Sequence, residues 1–312
     1  MSTVTGLRPA ASGDTAPDTH SQAVLAKATR ENFPVAPFFL PRSWRGDLMA
    51  VYGYARLVDD IGDGDLAGGG REDALRLGLP ADAADDRVAM LDAFEADLRR
   101  VFDGPPDTVR HPLLRALRPT VQRHGLTPEP FLGLVEANRQ DQLVRRYATY
   151  EDLLAYCELS ANPVGRLVLG ITGTSTPERI RRSDAVCTAL QIVEHLQDVT
   201  EDLGRDRIYL PAEDMKHFGV TETDLTAATA GASVRALVAH EAERARDLLN
   251  EGTPLVGSVH GRLKLLLAGF VGGGRAALRA IADAGYDVLP GPPKAGKYSL
   301  LREVGSTLRR EG

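Results

Sequence analysis

Apolar residues recur every three or four positions along most of this chain and almost nowhere in strict alternation, a pattern that predicts helices and not strands. Between Arg45 and Asp63, Leu48, Met49, Val51, Tyr52, Ala55, Leu57 and Val58 mark one helix, closed by Gly62 and Gly64. The spacing continues over 87–103, 111–124 and 128–147, the last opened by Pro128 and Pro130, which suit a first helical turn. Asn162-Pro163 interrupts 150–173. Proline lacks an amide donor and biases the residue before it away from helix, so two helical pieces or a kinked one are predicted there. Thr176-Pro177-Glu178-Arg179 reads as an N-cap followed by proline at the first helical position, opening a helix that runs to Gly204. A short helix after Pro211, long ones over 232–250 and 254–283, and a terminal helix after a Pro/Gly break at 290–296 complete the pattern. One all-α domain over 21–312 is the economical prediction.

Two stretches fall outside the periodicity. Residues 1–20 are rich in Ser, Thr, Pro, Ala and Gly, with too few large apolar groups to offset the entropy of ordering, and are expected to be a disordered leader. Residues 64–86 contain Gly68, Gly69 and Gly70 and a run of Ala and Asp, which suits a long, flexible, exposed connection, a lid in position beside the first acidic cluster.

Composition narrows the function. At 312 residues the chain can bury a sizeable core. Its net charge of −6, with basic residues scattered along the chain, disfavours a nucleic-acid partner. Cys157 and Cys187 are far apart and form no CxxC pair, which argues against a disulfide framework or structural zinc and fits a reducing cytoplasm. No signal sequence opens the chain, and no run of about 18 apolar residues suggests a membrane span. A soluble or at most peripheral protein is expected.

The chemistry concentrates in two carboxylate groups. Asp59, Asp60 and Asp63 lie near the end of the first long helix, and Glu194, Asp198 and Asp202 lie well past the middle of the chain. A four-residue spacing puts Asp59 with Asp63, and Asp198 with Asp202, on one helix face each, where like charges weaken an isolated helix by a few tenths of a kcal/mol, about 0.2–0.5. Something cationic should offset this repulsion, and magnesium, which takes carboxylate and phosphate oxygens, is the natural ion. Glu194, Asp198 and Asp202 form a stripe about 12 Å long. Both groups are embedded among apolar residues, Leu57, Val58 and Ile61 in one case and Ile192, Val193, Leu196 and Val199 in the other, so they sit beside a core. Arg56 and Tyr52 share the face of the first pair, and a diphosphate held between the two helices by metal and arginine is the simplest use of the set.

The strings Tyr54-Ala55-Arg56-Leu57-Val58-Asp59-Asp60-Ile61-Gly62-Asp63 and Gln191-Ile192-Val193-Glu194-His195-Leu196-Gln197-Asp198-Val199-Thr200-Glu201-Asp202 resemble the two signatures of the squalene/phytoene synthases, and Arg207-Ile208-Tyr209-Leu210-Pro211 resembles their following segment. Glu31-Asn32-Phe33-Pro34-Val35 and Ser160-Ala161-Asn162-Pro163-Val164-Gly165-Arg166-Leu167 are most similar to the bacterial hydroxysqualene synthase branch of hopanoid biosynthesis. The resemblance spans about residues 24–285. It implies the all-α isoprenoid synthase fold with the acidic helices facing across a deep apolar cavity, and presqualene diphosphate as substrate. It further implies that Asp59 and Asp63, and Asp198 and Asp202, are the metal-binding and catalytic pairs. Tyr52, Arg56 and Gln191 match positions that contact diphosphate or its metals. Glu194 stands where many relatives carry a metal-binding Asn, Gln197 where several carry Arg, and Glu158 where relatives carry a pocket Tyr.

Hydroxysqualene formation needs one positioned water, for which Asn162, Glu158 and Gln191 are candidates, although Asn before Pro is also an ordinary turn residue. His195 lies about 100° around the helix from its acidic neighbour and reads as a packing or hydrogen-bonding residue. Glu136 and Asp141 fit either the mouth of the cavity or a solvated face, and Arg145 and Arg146 either diphosphate or the surface. Gly272-Gly273-Gly274 lacks the strand and lysine of a phosphate loop. Alternatives to the hydroxysqualene reading are a head-to-head synthase making presqualene diphosphate, squalene or phytoene from farnesyl or geranylgeranyl diphosphate, and a non-catalytic isoprenoid-binding or partner-binding helper. Contact with the inner face of a membrane, or with other hopanoid-pathway enzymes, is expected only from the greasy product.

Overall fold

Fifteen α-helices follow one another through the computed structural model, which describes residues 19–29 and 36–311, and no strand occurs among the described residues. Most of the expected leader and the segment Glu31–Val35 lie outside them. Helix α1 (Thr19–Ala26) precedes α2 (Arg42–Asp63). Gly64 closes α2 with φ +76° and returns its N–H to the carbonyls of Asp60 and Ile61, a left-handed cap that a side chain would strain.

Residues 64–86 are not the open connection that their composition suggests. They hold α3 (Arg71–Leu77), with Ala74 and Leu77 in the core and Asp73 Oδ1 lying 3.1 Å from His111 Nε2. The tripeptide of glycines is only the turn into α3. Three helices come next, α4 (Arg87–Asp103), α5 (Pro112–His124) and α6 (Glu129–Leu143). Asn162-Pro163 divides the following stretch as predicted, into α7 (Tyr150–Ser160) and α8 (Asn162–Ile171). Helix α9 (Pro177–Gln197) opens on Thr176, whose hydroxyl accepts from Arg179 N at 3.2 Å. It stops seven residues before the expected end near Gly204 and is followed by α10 (Val199–Gly204) and α11 (Ala212–His217). The remainder is α12 (Ala232–Gly252), α13 (Pro254–Gly257), α14 (Gly261–Asp283) and α15 (Lys297–Arg310).

One buried apolar cluster runs from Val24 to Leu289. Leu48, Val51, Tyr54, Leu57, Val58 and Ile61 are its α2 contribution, at the spacing of a single helix face. Burying each such side chain contributes about 1.5–3 kcal/mol. Tyr54 is the anchor: its ring meets Phe94 of α4 and Phe131 of α6 at 5.5 and 5.1 Å, and its hydroxyl donates to Phe131 O at 2.6 Å. On the other side of the molecule α9 packs against α8, α12 and α14. Helix α14 corrects the expectation that no segment has the make-up of a membrane span, since it has the length and apolar content of one. Its Leu263, Leu266, Val271, Leu278 and Ile281 are nevertheless buried among α9, α12 and α15.

The start of α2 is fixed by a polar clamp. Asp47, 2% exposed, accepts from Thr120 Oγ1 at 2.8 Å and Arg123 Nη1 at 2.5 Å on α5, and His124 Nε2 lies 2.8 Å from its second oxygen. Burial alone would push the Asp47 carboxyl up, but the His124, Thr120 and Arg123 hydrogen bonds outweigh it and hold it below its ordinary value. A carboxylate with a lowered folded-state pKa stabilises the fold above its unfolded value, about 3.9, and loses that contribution as pH falls through the folded one. Asp47→Asn should therefore reduce unfolding free energy at pH 7 by about 2–3 kcal/mol. Urea unfolding between pH 7 and 2 should show the gap between variant and parent shrinking below pH 4, because the parent alone loses the charge.

Candidate active site

Asp59 and Asp63 emerge from α2 on the side that meets α6. Asn138 of α6 donates through Nδ2 to Asp59 Oδ1 at 3.1 Å and to its own Leu134 O, and Gln142 Nε2 donates to Gly62 O at 2.9 Å. The close approach depends on Gly62, where a Cβ would collide with the Asn138 amide. Burial pushes the Asp59 carboxyl up to about 7, with Asp63 and Asp60 adding to the shift while Asn138 and Arg56 oppose it. Asp60 points elsewhere: 1% exposed, it is held by Lys27 Nζ at 2.7 and 2.8 Å and by Arg56 Nη2 at 2.8 Å. Arg56 is thus oriented by Asp60 while its charge acts on Asp59. Tyr52, half-buried, lies one turn before it on α2.

The second group lies where α9 gives way to α10. Asp198 adopts φ −105° and ψ 14°, outside helical values, yet its N–H reaches Glu194 O at 2.9 Å and Asp202 N–H reaches its own carbonyl at 2.8 Å. The stripe predicted as one straight helix face is bent at its middle carboxylate. Glu194 is exposed, whereas Asp198 and Asp202 are half-buried. Burial, then the charges of Asp202 and Glu201, raise the Asp198 carboxyl, against the opposing pull of His195 and Arg205. Gln191 Nε2 lies 3.3 Å from His195 Nε2, and the His195 ring stacks on Tyr209 at 3.7 Å and 11°. The packing role expected of His195 is what the ring does.

The two groups meet through the segment after α10. Asp63 accepts from Arg205 Nη1 at 3.0 Å on one oxygen and from Arg207 Nη1 at 2.9 Å on the other. Arg205 also reaches Glu201 and Asp65, each at 3.4 Å, so one guanidinium links the first acidic group to a carboxylate beside the second, and its charge acts on Asp198 as well. Arg207, 10% exposed, faces Asp141 as well, and Asp141 accepts from Tyr156 OH at 2.8 Å and Tyr209 OH at 3.0 Å. Asn138, Arg205 and Asp141 were not assigned this part from sequence. The signal for Asn138 and Asp141 was their three-residue spacing on one amphipathic helix, and for Arg205 its place directly after the second acidic run.

This arrangement of helices and acidic groups has solved and curated relatives. The squalene/phytoene synthase family model matches residues 26–299. Hydroxysqualene synthase of Zymomonas mobilis is 34% identical over 233 residues, 74% of this chain and 71% of that protein. The 15-cis-phytoene synthase of Synechococcus elongatus is 31% identical, covering 71% and 70%. The crystal structure of squalene synthase HpnC from Alicyclobacillus acidocaldarius superposes with a TM-score of 0.73 at 43% identity over 86% of this chain and 94% of that one. This chain belongs to the squalene/phytoene synthase family. Its fold is the all-α isoprenoid synthase fold, and it is a prenyl-diphosphate-processing enzyme.

Other residues singled out by the sequence fall away from the family's acidic groups. Glu158 is 65% exposed and lies 3.7 Å from Arg166, itself paired with Asp184. Asn162 is buried at the start of α8 and accepts from Thr188 Oγ1 at 3.0 Å. Glu136 is exposed beside Arg139, and Arg146 is taken up by Asp206 and Glu222 at the surface. Burial pushes the Cys157 thiol up to about 12 and that of Cys187 to about 11, so neither is a poised nucleophile. Gly272-Gly273-Gly274 sits inside α14 under Val304 and Leu190. A third set of potential ligands, Asp214, His240 and Glu241, converges between α11 and α12, but Arg244 already bonds Asp214 at 2.6 Å and Glu241 at 3.0 Å.

Gly62→Ala should separate α2 from α6 and remove Asn138 from Asp59. The expected result is a stability loss of about 1–3 kcal/mol in denaturant unfolding, with diphosphate release falling at least tenfold at a temperature where the variant is folded.

Proposed function

We propose that this enzyme converts presqualene diphosphate to hydroxysqualene and diphosphate, with magnesium. The observation that carries the reading is that Arg205, bonded to Asp63 of the first acidic group and paired with Glu201, stands beside the second group, where its charge also acts on Asp198; the 34% identity to a hydroxysqualene synthase supports the choice of reaction. The donor set suits magnesium: Asp59, Asp63, Asp198, Asp202 and Glu194 offer only carboxylate oxygens. Asp59 and Asp198, both pushed up by burial and by like charge, would gain from a nearby cation. When bound, magnesium supplies positive charge to the departing diphosphate.

The chain's own groups do the rest. Arg56, turned by Asp60, adds a fixed positive charge beside the first pair, and Tyr52 and Gln191 add hydrogen-bonding groups for the phosphate oxygens. The carbon–oxygen bond breaks with its electron pair going to diphosphate, leaving a cyclopropylcarbinyl cation. That cation rearranges in the apolar chamber that family membership implies beside the acidic groups, and one water adds with loss of a proton to give the alcohol. Exclusion of other water protects the early cation. Asn162 and Gln191, both polar groups at the edge of apolar helices, are the positions we assign to that one water, with Glu158 as the third candidate. The product is greasy, which favours a cytoplasmic enzyme working at the inner membrane face and beside other hopanoid-pathway enzymes.

The 31% identity to a phytoene synthase supports a second reading, head-to-head condensation of two farnesyl or geranylgeranyl diphosphates. Incubation with presqualene diphosphate and magnesium, without reductant, separates the two. Hydroxysqualene as the product, and its loss by at least a hundredfold in Asp59→Ala and in Asp198→Ala, is the expected result. Turnover only with a C15 or C20 diphosphate would replace the first reading with the second. Asn162→Ala should lower the share of alcohol among the products, and an unchanged share would remove Asn162 from water positioning.

A further inference from the structure

A pocket of about 540 Å³ opens between α12, α14 and α15, on helices that carry none of the acidic groups. Arg246, Arg275, Arg279 and Arg310 line it, against Asp283 and Glu303. The lining is net positive in a chain whose net charge is −6. Most of these groups are already satisfied: Arg246 pairs with Glu243, Arg279 lies 3.7 Å from Asp283, and Glu303 is held by Arg302 at 2.8 Å. Arg275 and Arg310 differ. Neither has a carboxylate within ion-pair distance among the described residues.

Arg275 is nevertheless fixed in place. Its Nη1 donates to Thr307 Oγ1 at 2.8 Å, and its Nη2 donates to Thr253 Oγ1 at 3.0 Å and to Asn250 Oδ1 at 3.2 Å. Thr307 and Thr253 are buried, 0% and 4% exposed, and Thr253 spends its own proton on Leu249 O at 2.6 Å, so its oxygen is free to accept. A guanidinium held by three neutral acceptors keeps its full charge, and Arg310 adds a second positive charge close enough to push Arg275 below its ordinary pKa, after burial and against Glu303 and Glu311. Two cations that line one open cavity repel each other, and a dianion between them would remove that repulsion.

We propose that this pocket binds a phosphate-type anion through Arg275 and Arg310, at a site separate from the acidic groups. Guanidinium forks suit phosphate oxygens, and the volume exceeds that of a single phosphate, so a diphosphate or a phosphorylated headgroup fits the class. The anion could be free in solution or belong to a lipid surface, and the test separates these sources. The full chain is titrated calorimetrically with inorganic diphosphate in EDTA, which withholds divalent ions from the acidic groups. It is also floated with vesicles of phosphatidylglycerol or of phosphatidylcholine alone.

Saturable diphosphate binding that weakens at least threefold in Arg310→Gln and tenfold in Arg275→Gln/Arg310→Gln, and is unchanged in the charge-matched Arg146→Gln, supports a soluble ligand. Flotation with phosphatidylglycerol only, lost in the same two variants and kept in Arg146→Gln, supports a lipid headgroup. Binding to neither probe, or equal weakening in Arg146→Gln, overturns the proposal. Arg310 is exposed near the end of α15, so its substitution reads binding even where the double variant proves unstable in a melting control.

Discussion

Asp63 accepts from two arginines of quite different standing, and the arrangement of the candidate site rests on that carboxylate. Arg207 is nearly buried and is itself placed by Asp141, which two phenols hold in turn. Arg205 is 40% exposed and shared among Asp63, Asp65 and Glu201. A helix of like charges beside an apolar core is unfavourable alone. Here the first acidic group is made tolerable by Arg205 and Arg207, which follow the second group in the chain, so its arrangement depends on the fold that brings 205–207 back onto α2.

The aromatic layer beneath serves the same geometry. Tyr147, Tyr156, Tyr209 and His195 contact one another in a continuous series, with Tyr209 meeting both Tyr147 and His195 in stacked geometry. Their rings fill the space between α7, the 205–209 segment and α9 with rigid, apolar bodies, while two hydroxyls turn toward Asp141. Removing ring volume there would shift Arg207 and, through it, Asp63. The segment is further secured where Arg146 and Ile208 form an isolated parallel bridge.

Helices with strong local signals were legible in the sequence. The cap at Thr176, the break at Asn162-Pro163 and the glycine stop after Asp63 each have a local physical cause, and the structure places each within a few residues of its prediction. Helix α3 was not legible, because it is one short piece among glycines and prolines and is held by tertiary contacts: Ala74 and Leu77 in the core, Asp73 on His111. The bend at Asp198 was equally hidden, since the four-residue spacing of carboxylates is the same in a straight helix and in one that loosens for a single residue. Of the candidate site, the acidic positions were readable from their spacing and from the family signatures. Their counter-charges were not, because Arg205 and Arg207 acquire their partners only when a loop some 140 residues away in sequence from Asp63 returns to it.

The difference between the two arginines on Asp63 bears on how such a site can work. An exposed pair like Arg205 with Asp63 contributes about 0.2–1 kcal/mol, so exchanging it for another cation or for a phosphate oxygen costs the fold little. Breaking the part-buried contact with Arg207 costs more, because that guanidinium is 10% exposed and would be left with less solvent to replace its partner. Asp63 is thus fixed in position by one partner and left exchangeable toward solvent by the other. On the function proposed above, a carboxylate that exchanges partners needs both properties, and Asp59 likewise has one oxygen held by Asn138.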